Sequence, residues 1–217
     1  MSRISTEPVR HAINGPTMGT RWQATFHAPR GHDVRPIRAA MQDAVAEVDA
    51  QMSTWRPESD LMRLNRTAPG VWVDLPARLM VVLAAALEVG RASGGAFDIS
   101  VGDAVTAWGF GPDAADPVAI RSALQAAHGP AHEVLELDMA GGRSRRLAPR
   151  CFDLSGIAKG YGVDRLAEVA QAFGLPDALV AIDGELRALG TQPGGVPRSV
   201  AIERPDPGIR PPLRCSR

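Results

Sequence analysis

At 217 residues the chain is long enough for one sizeable hydrophobic core or two small lobes without covalent cross-links. Its 24 Lys+Arg balance its 24 Asp+Glu, which removes any electrostatic case for nucleic acid or an anionic membrane surface. Cys151 and Cys215 are too few for a disulfide framework and lack metal-ligand spacing, and no stretch reaches membrane-spanning length. The first ten residues lack the apolar centre of a secretory signal, so the expected default location is the cytoplasm. In chain order, alternation predicts a strand over 22–27, broken by Pro29 and Gly31. Pro36 opens an amphipathic helix to about Ser53, with Ile37, Met41, Ala44, Val45, Val48 and Met52 at helical spacing. A loop is expected over 52–65, a short strand over 71–74, and a second helix over 77–92 stopped by Gly94-Gly95. Asp116-Pro117 starts a third helix that closes at Gly129. Strands over 134–138 and 144–147 flank Gly141-Gly142, and strands over 178–182 and 185–189 flank Asp183-Gly184. A last strand is expected over 200–203, followed by a Pro/Arg-rich tail that cannot form a helix or a central strand. Hairpins and separate helices, in place of strict strand-helix alternation, indicate an α+β fold with mixed or antiparallel sheets and packed helices.

Lys159 is the chain's only lysine, and it lies in the run Phe152-Asp153-Leu154-Ser155-Gly156-Ile157-Ala158-Lys159-Gly160-Tyr161. A lone lysine among arginines suggests a use for a compact ammonium on a flexible stem, although a solvated surface charge explains it better when it is taken alone. The run reads as a strand delivering Asp153 to a helix start, with Ser155 as cap and Gly156 allowing close approach. Three other patches place small residues beside one distinctive group: Thr17-Met18-Gly19-Thr20, Met52-Ser53-Thr54-Trp55 and Gly94-Gly95-Ala96-Phe97-Asp98. Core packing accounts for Met18, Met52 and Phe97, but not for the glycines and carboxylates around them. Trp55 offers a stacking face, and Asp98 and Asp153 can accept hydrogen bonds from a ring N–H or a ribose hydroxyl, as a large planar ligand requires.

With these patches in this order the chain resembles the FAD:protein FMN transferases, the ApbE family. The matching motifs are Met18-Gly19-Thr20; Met52 to Trp55 with Ser59, Leu61, Leu64 and Asn65; V-T-A-W-G-F-G from Val105 to Gly111; Gly95 to Asp98; and Asp153 to Tyr161. The similarity runs from about Asn14 to Pro205, which divides the chain into an extension at 1–13, a flavin transferase core at 14–205 and a tail at 206–217. The resemblance implies FAD as substrate, Mg2+ as the ion, and an acceptor flavoprotein that receives FMN on a threonine. It places Met18, Trp55, Ala96, Phe97 and Asp98 against FAD, with Asp153 and Lys159 on the opposite wall, and assigns the Gly156 backbone oxygen to magnesium; it names no catalytic residue. Trp55 stands where tyrosine is commoner and keeps the stacking face.

Family members continue beyond the strand at 200–203 with a lobe whose Asp/Thr pair completes the metal site. The sequence shows no counterpart, so an incomplete metal site is expected, and transfer by this chain alone should be lost. Alternatives are an FAD-binding pseudoenzyme, an inactive fragment, or slow FAD pyrophosphate hydrolysis with water as acceptor. His128 and His132 are separated by Pro130, which argues against a shared metal, and the arginines at 143, 145, 146 and 150 read as exposed charge. Neither a phosphate loop nor a nucleophile elbow is present.

Overall fold

Strands β1 (Pro8–Thr17) and β2 (Thr20–Pro29) pair antiparallel along their whole length around the Met18-Gly19 turn, in a computed structural model that describes residues 8–110, 114–125, 129–202 and 213–214. The strict period of two buries Ile13, Gly15 and Thr17 on β1 and Trp22, Ala24, Phe26 and Ala28 on β2. β1 starts ahead of the expected core boundary at 14. The Asn14-Gly15-Pro16 run reads locally as a breaker, but on an edge strand proline removes no needed ladder bond. Gly15 is required by its neighbour, since a Cβ there would fall 2.6 Å from the Trp22 Nε1.

Helix α1 (Arg35–Met52) matches its expected span and buries the stripe from Ile37 to Met52. The expected loop over 52–65 contains a further helix, α2 (Asp60–Arg66). Its cap is Ser59, whose hydroxyl accepts the Met62 N–H at 3.1 Å and donates to the Ser53 carbonyl at 2.7 Å, pinning the intervening loop. A seven-residue helix, about two turns, is too short for its period to stand out in sequence. Next come β3 (Val73–Asp74), α3 (Ala77–Ala92), the unexpected short α4 (Gly102–Ala107) and α5 (Pro117–Gln125), where the Asp116 carboxylate accepts the Val118 N–H at 2.8 Å. Gly94 and Gly95 follow α3 with φ of 61° and 85°, values that suit glycine alone without strain.

Helix α6 (Ala131–Val134) leads into the hairpin of β4 (Leu135–Asp138) and β5 (Arg143–Arg146). The 151–154 segment is not the strand expected before the lysine helix. It runs without ladder pairing, and its backbone is held by α2 and by the Ile99 carbonyl instead. Helix α7 (Ala158–Ala172) then begins after Ile157 with no side-chain cap; Ser155, expected to cap it, lies before the helix and donates its N–H to Asp153. Strands β6 (Ala178–Ile182) and β7 (Glu185–Ala188) form the Asp183-Gly184 hairpin, and β8 (Ala201–Ile202) pairs with β9 (Leu213–Arg214) from the tail.

Among the described residues all strand pairings are antiparallel, in sheets ordered β1-β2-β6-β7, β3-β5-β4 and β8-β9, the α+β architecture that the sequence indicates. Helices α1 and α7 cover the four-stranded sheet around Trp22, Phe26, Met41 and Leu166. A second core gathers Leu61, Leu64, Leu83, Ile99, Phe152 and Leu154. Met18 packs against both, at the junction where a ligand can enter between them.

Candidate functional site

Beside Met18 opens a cleft of about 840 Å³, within the range of cofactor sites. The β1-β2 turn contributes Met18 and Gly19, the end of α1 and the loop after it contribute Asp49 and Met52 to Arg56, and the start of α7 contributes Ala158 and Lys159 after Ser155. Val105, Gly109 and Phe110 complete the lining. Trp55 is 60% exposed and Phe110 70%, so both side chains leave surface open to a ligand. Met18 holds φ at 44°, a conformation that costs a non-glycine residue about 1 kcal/mol or more and is kept by packing on either side.

Of the residues expected at the site, Met18, Trp55 and Lys159 line this cleft. Asp153 lies just beneath it, 6% exposed. One carboxylate oxygen accepts the Ser155 N–H at 2.8 Å and the other faces the Thr54 hydroxyl at 3.5 Å, so Asp153 ties together two segments that line the cleft. Gly156 is packed by the Phe97 ring, and a Cβ there would stand 3.1 Å from Phe97 Cε2. The glycine therefore admits a protein ring, while Gly160 meets nothing within 4 Å.

Ala96, Phe97 and Asp98 are not among the cleft-lining residues. Ala96 is exposed, and Phe97 and Asp98 border a separate shallow recess beside Pro130, Ala131 and His132. Asp98 accepts backbone N–H groups of Ser100 at 2.8 Å and Ala131 at 3.1 Å, which fastens the start of α6. His128 lies outside the described residues. The arginine cluster differs from plain exposed charge: Arg143 and Arg145 stack on Trp72 at 4.9 and 4.5 Å, and buried Arg146 donates to the carbonyls of Arg150 and Thr67.

Several lining groups escaped the sequence reading. Asp49 sits one helical turn before Met52 and pairs with Arg56 at 3.2 Å, and Arg56 also reaches Glu58. Their signal was the helical spacing of Asp49 on Met52 and the position of Arg56 directly after Trp55. Asp183, read only as a turn residue, places its Oδ2 2.9 Å from the Lys159 Nζ.

Cys151 precedes the lysine motif, and burial, reinforced by the nearby Asp103 carboxylate, pushes its thiol up to about 11. The thiol is thus neutral near pH 8 and a poor nucleophile. Iodoacetamide at pH 8 should leave the Cys151 peptide unlabelled in the native protein and label it after denaturation, as read by mass spectrometry; equal labelling in both states would contradict this environment.

A family model described as the ApbE family matches residues 18–215. The chain belongs to the ApbE family. Among its relatives, the FAD:protein FMN transferase of Vibrio cholerae is 33% identical over 195 residues, covering 89% of this chain and 58% of its own. The protein of that name from Haemophilus influenzae is 33% identical over 208 residues, with the same two coverages. The solved structure of the flavin transferase ApbE from Vibrio cholerae superposes with a TM-score of 0.82 at 29% identity, covering 95% of this chain and 67% of that one. The chain thus spans somewhat under three-fifths of the length of these curated ApbE relatives. Among the described residues no group of three or more His, Cys, Asp or Glu side chains is placed to hold a metal ion, and no helix is long and apolar enough to cross a membrane.

Proposed function

We propose that this ApbE protein binds FAD in the cleft and transfers its FMN portion to a threonine hydroxyl of an acceptor flavoprotein, releasing AMP. The observation that carries this reading is the pairing, in one cleft, of an exposed indole with the chain's lone ammonium at the start of α7. Trp55 would stack on the isoalloxazine ring. Lys159 and the N-terminal turn of α7, which has no side-chain cap, would hold the pyrophosphate by charge and helix dipole. Asp153 keeps the loop between them in place by its bond to the Ser155 N–H.

In the transfer, the threonine oxygen forms a bond to the FMN phosphorus while the bond from that phosphorus to the bridging oxygen breaks. The hydroxyl proton passes to solvent or to the departing phosphate, AMP leaves with the electron pair of the broken bond, and a fixed cation steadies the charge that develops on the leaving phosphate. Magnesium, with the Gly156 carbonyl as one of its oxygens, would supply further charge neutralisation on the phosphates. Lys159 and the N-terminal turn of α7 would carry part of the protein's own share of the charge balance.

Equilibrium dialysis should show FAD bound more tightly than FMN, and equal or absent binding would sink the site assignment. Trp55→Ala should weaken FAD by about 1 kcal/mol, roughly fivefold in Kd, and abolish the mutual quenching of indole and flavin fluorescence. An unchanged affinity would move the stacking contact elsewhere. Transfer itself is read as flavin fluorescence on a threonine-bearing acceptor in a denaturing gel after incubation with FAD and magnesium. Binding without any covalent flavin would remove the transfer step and leave the binding step.

A further inference from the structure

Among the described residues two that are not glycine hold positive φ, Met18 at 44° and Asp183 at 55°. Both occupy hairpin turns, and the pairing of Trp22 with Ile182 sets those turns side by side at one end of the sheet. Met18 lines the cleft directly. Asp183 reaches it through Lys159, a lining residue whose Nζ it holds at 2.9 Å. Asp-Gly is an ordinary sequence for a tight hairpin turn, so turn chemistry accounts for the backbone here. It does not account for the charge, because asparagine or glycine would serve the same turn. The two side chains are 37% and 58% exposed, so their pairing adds little to folding, and its consequence falls on what else the ammonium can bind.

We infer that Asp183 sets the affinity of the cleft for anionic ligands: its carboxylate occupies the Lys159 ammonium, and a phosphate or pyrophosphate group must displace it to bind. The identity of that ligand as FAD rests on the function proposed above, whereas the competition of a carboxylate and a phosphate for one ammonium can be tested with inorganic pyrophosphate. Two anions drawn to a single cation repel each other, so the resident carboxylate raises the dissociation constant of the incoming one. A surface carboxylate on a flexible partner is displaced cheaply, so the effect should be a tuning of affinity and not a block.

The test is calorimetric titration of FAD, inorganic pyrophosphate and riboflavin into the parent protein, Asp183→Asn and Asp183→Gly, with melting temperatures to show that each variant is folded. At low salt both variants should bind FAD and pyrophosphate about three- to tenfold more tightly than the parent, while riboflavin, which has no phosphate, is unchanged. In a Lys159→Gln background the Asp183→Asn change should move FAD affinity by less than about twofold, as the coupling of the two residues requires. An Asp183→Asn protein that binds FAD and pyrophosphate like a normally binding parent would overturn the role of Asp183 and leave the FAD reading intact. Pyrophosphate tightening in the variants while FAD binds none of the proteins would support the role of Asp183 and remove the FAD reading. An equal gain for riboflavin, or a gain that persists without Lys159, would overturn the competition, and no binding of any ligand by any protein would overturn both readings.

Discussion

Asn65→Ala should cost about 2–5 kcal/mol of folding stability, because it orphans two buried backbone groups at once. The Asn65 side chain donates to the Phe152 carbonyl and accepts the Phe152 N–H, each at 2.8 Å, and it is 8% exposed. Neither Phe152 group has a sheet ladder to fall back on, since 151–154 pairs with no strand. Asn65→Asp keeps the acceptor for the Phe152 N–H but sets a carboxylate oxygen against the Phe152 carbonyl, so it should also destabilise. Urea unfolding checks both: a lower midpoint with an unchanged slope is expected, and a loss under about 0.5 kcal/mol for alanine would mean that water or a neighbour replaces the pair. The same variant should weaken FAD binding, because Phe152 directly precedes Asp153.

In any preparation of the protein that transfers flavin, Asp153→Ala should lower the rate by about 100-fold, the scale expected when a reacting group is misplaced by roughly 1 Å. The change removes the acceptor of the Ser155 N–H and the contact with Thr54, freeing both segments that line the cleft. Asp153→Asn retains an amide oxygen for the Ser155 N–H and should recover FAD affinity to within about threefold of the parent, since the side chain is buried below the cleft and acts on the loop through hydrogen bonding. Steady-state transfer rates and FAD titrations on the two variants separate the roles. An asparagine variant as impaired as alanine in FAD binding would show that the carboxylate charge itself reaches the ligand.

Asn65 shows where sequence reading stops. The residue stood out as the end of a motif, yet its partner lies 87 positions away, and nothing in the residues around either one discloses the pairing. Asp98 is the converse case. Its neighbours marked it as a ligand acceptor, and the path of the chain also brings the Ala131 N–H, 33 positions away, to its carboxylate, which holds the start of α6.

Local signals placed α1, α3 and the two glycine-turn hairpins, through helical spacing in the first and through glycine stops and turns in the others, because these are written in residues a few positions apart. The order of the motifs likewise marked the family before any folding. β1 and α2 needed their tertiary partners: one is an edge strand whose Gly and Pro are tolerated by its neighbours, the other a seven-residue helix held by its cap and by the core it covers. Which of the marked residues meet in one cleft was decided only by the fold. The pairing of β2 with β6 carries Asp183 to Lys159, and the burial of Phe97 against Gly156 fills with a side chain the space that the sequence left open. Such contacts depend on how chain segments distant in sequence pack, and local propensity carries no record of that.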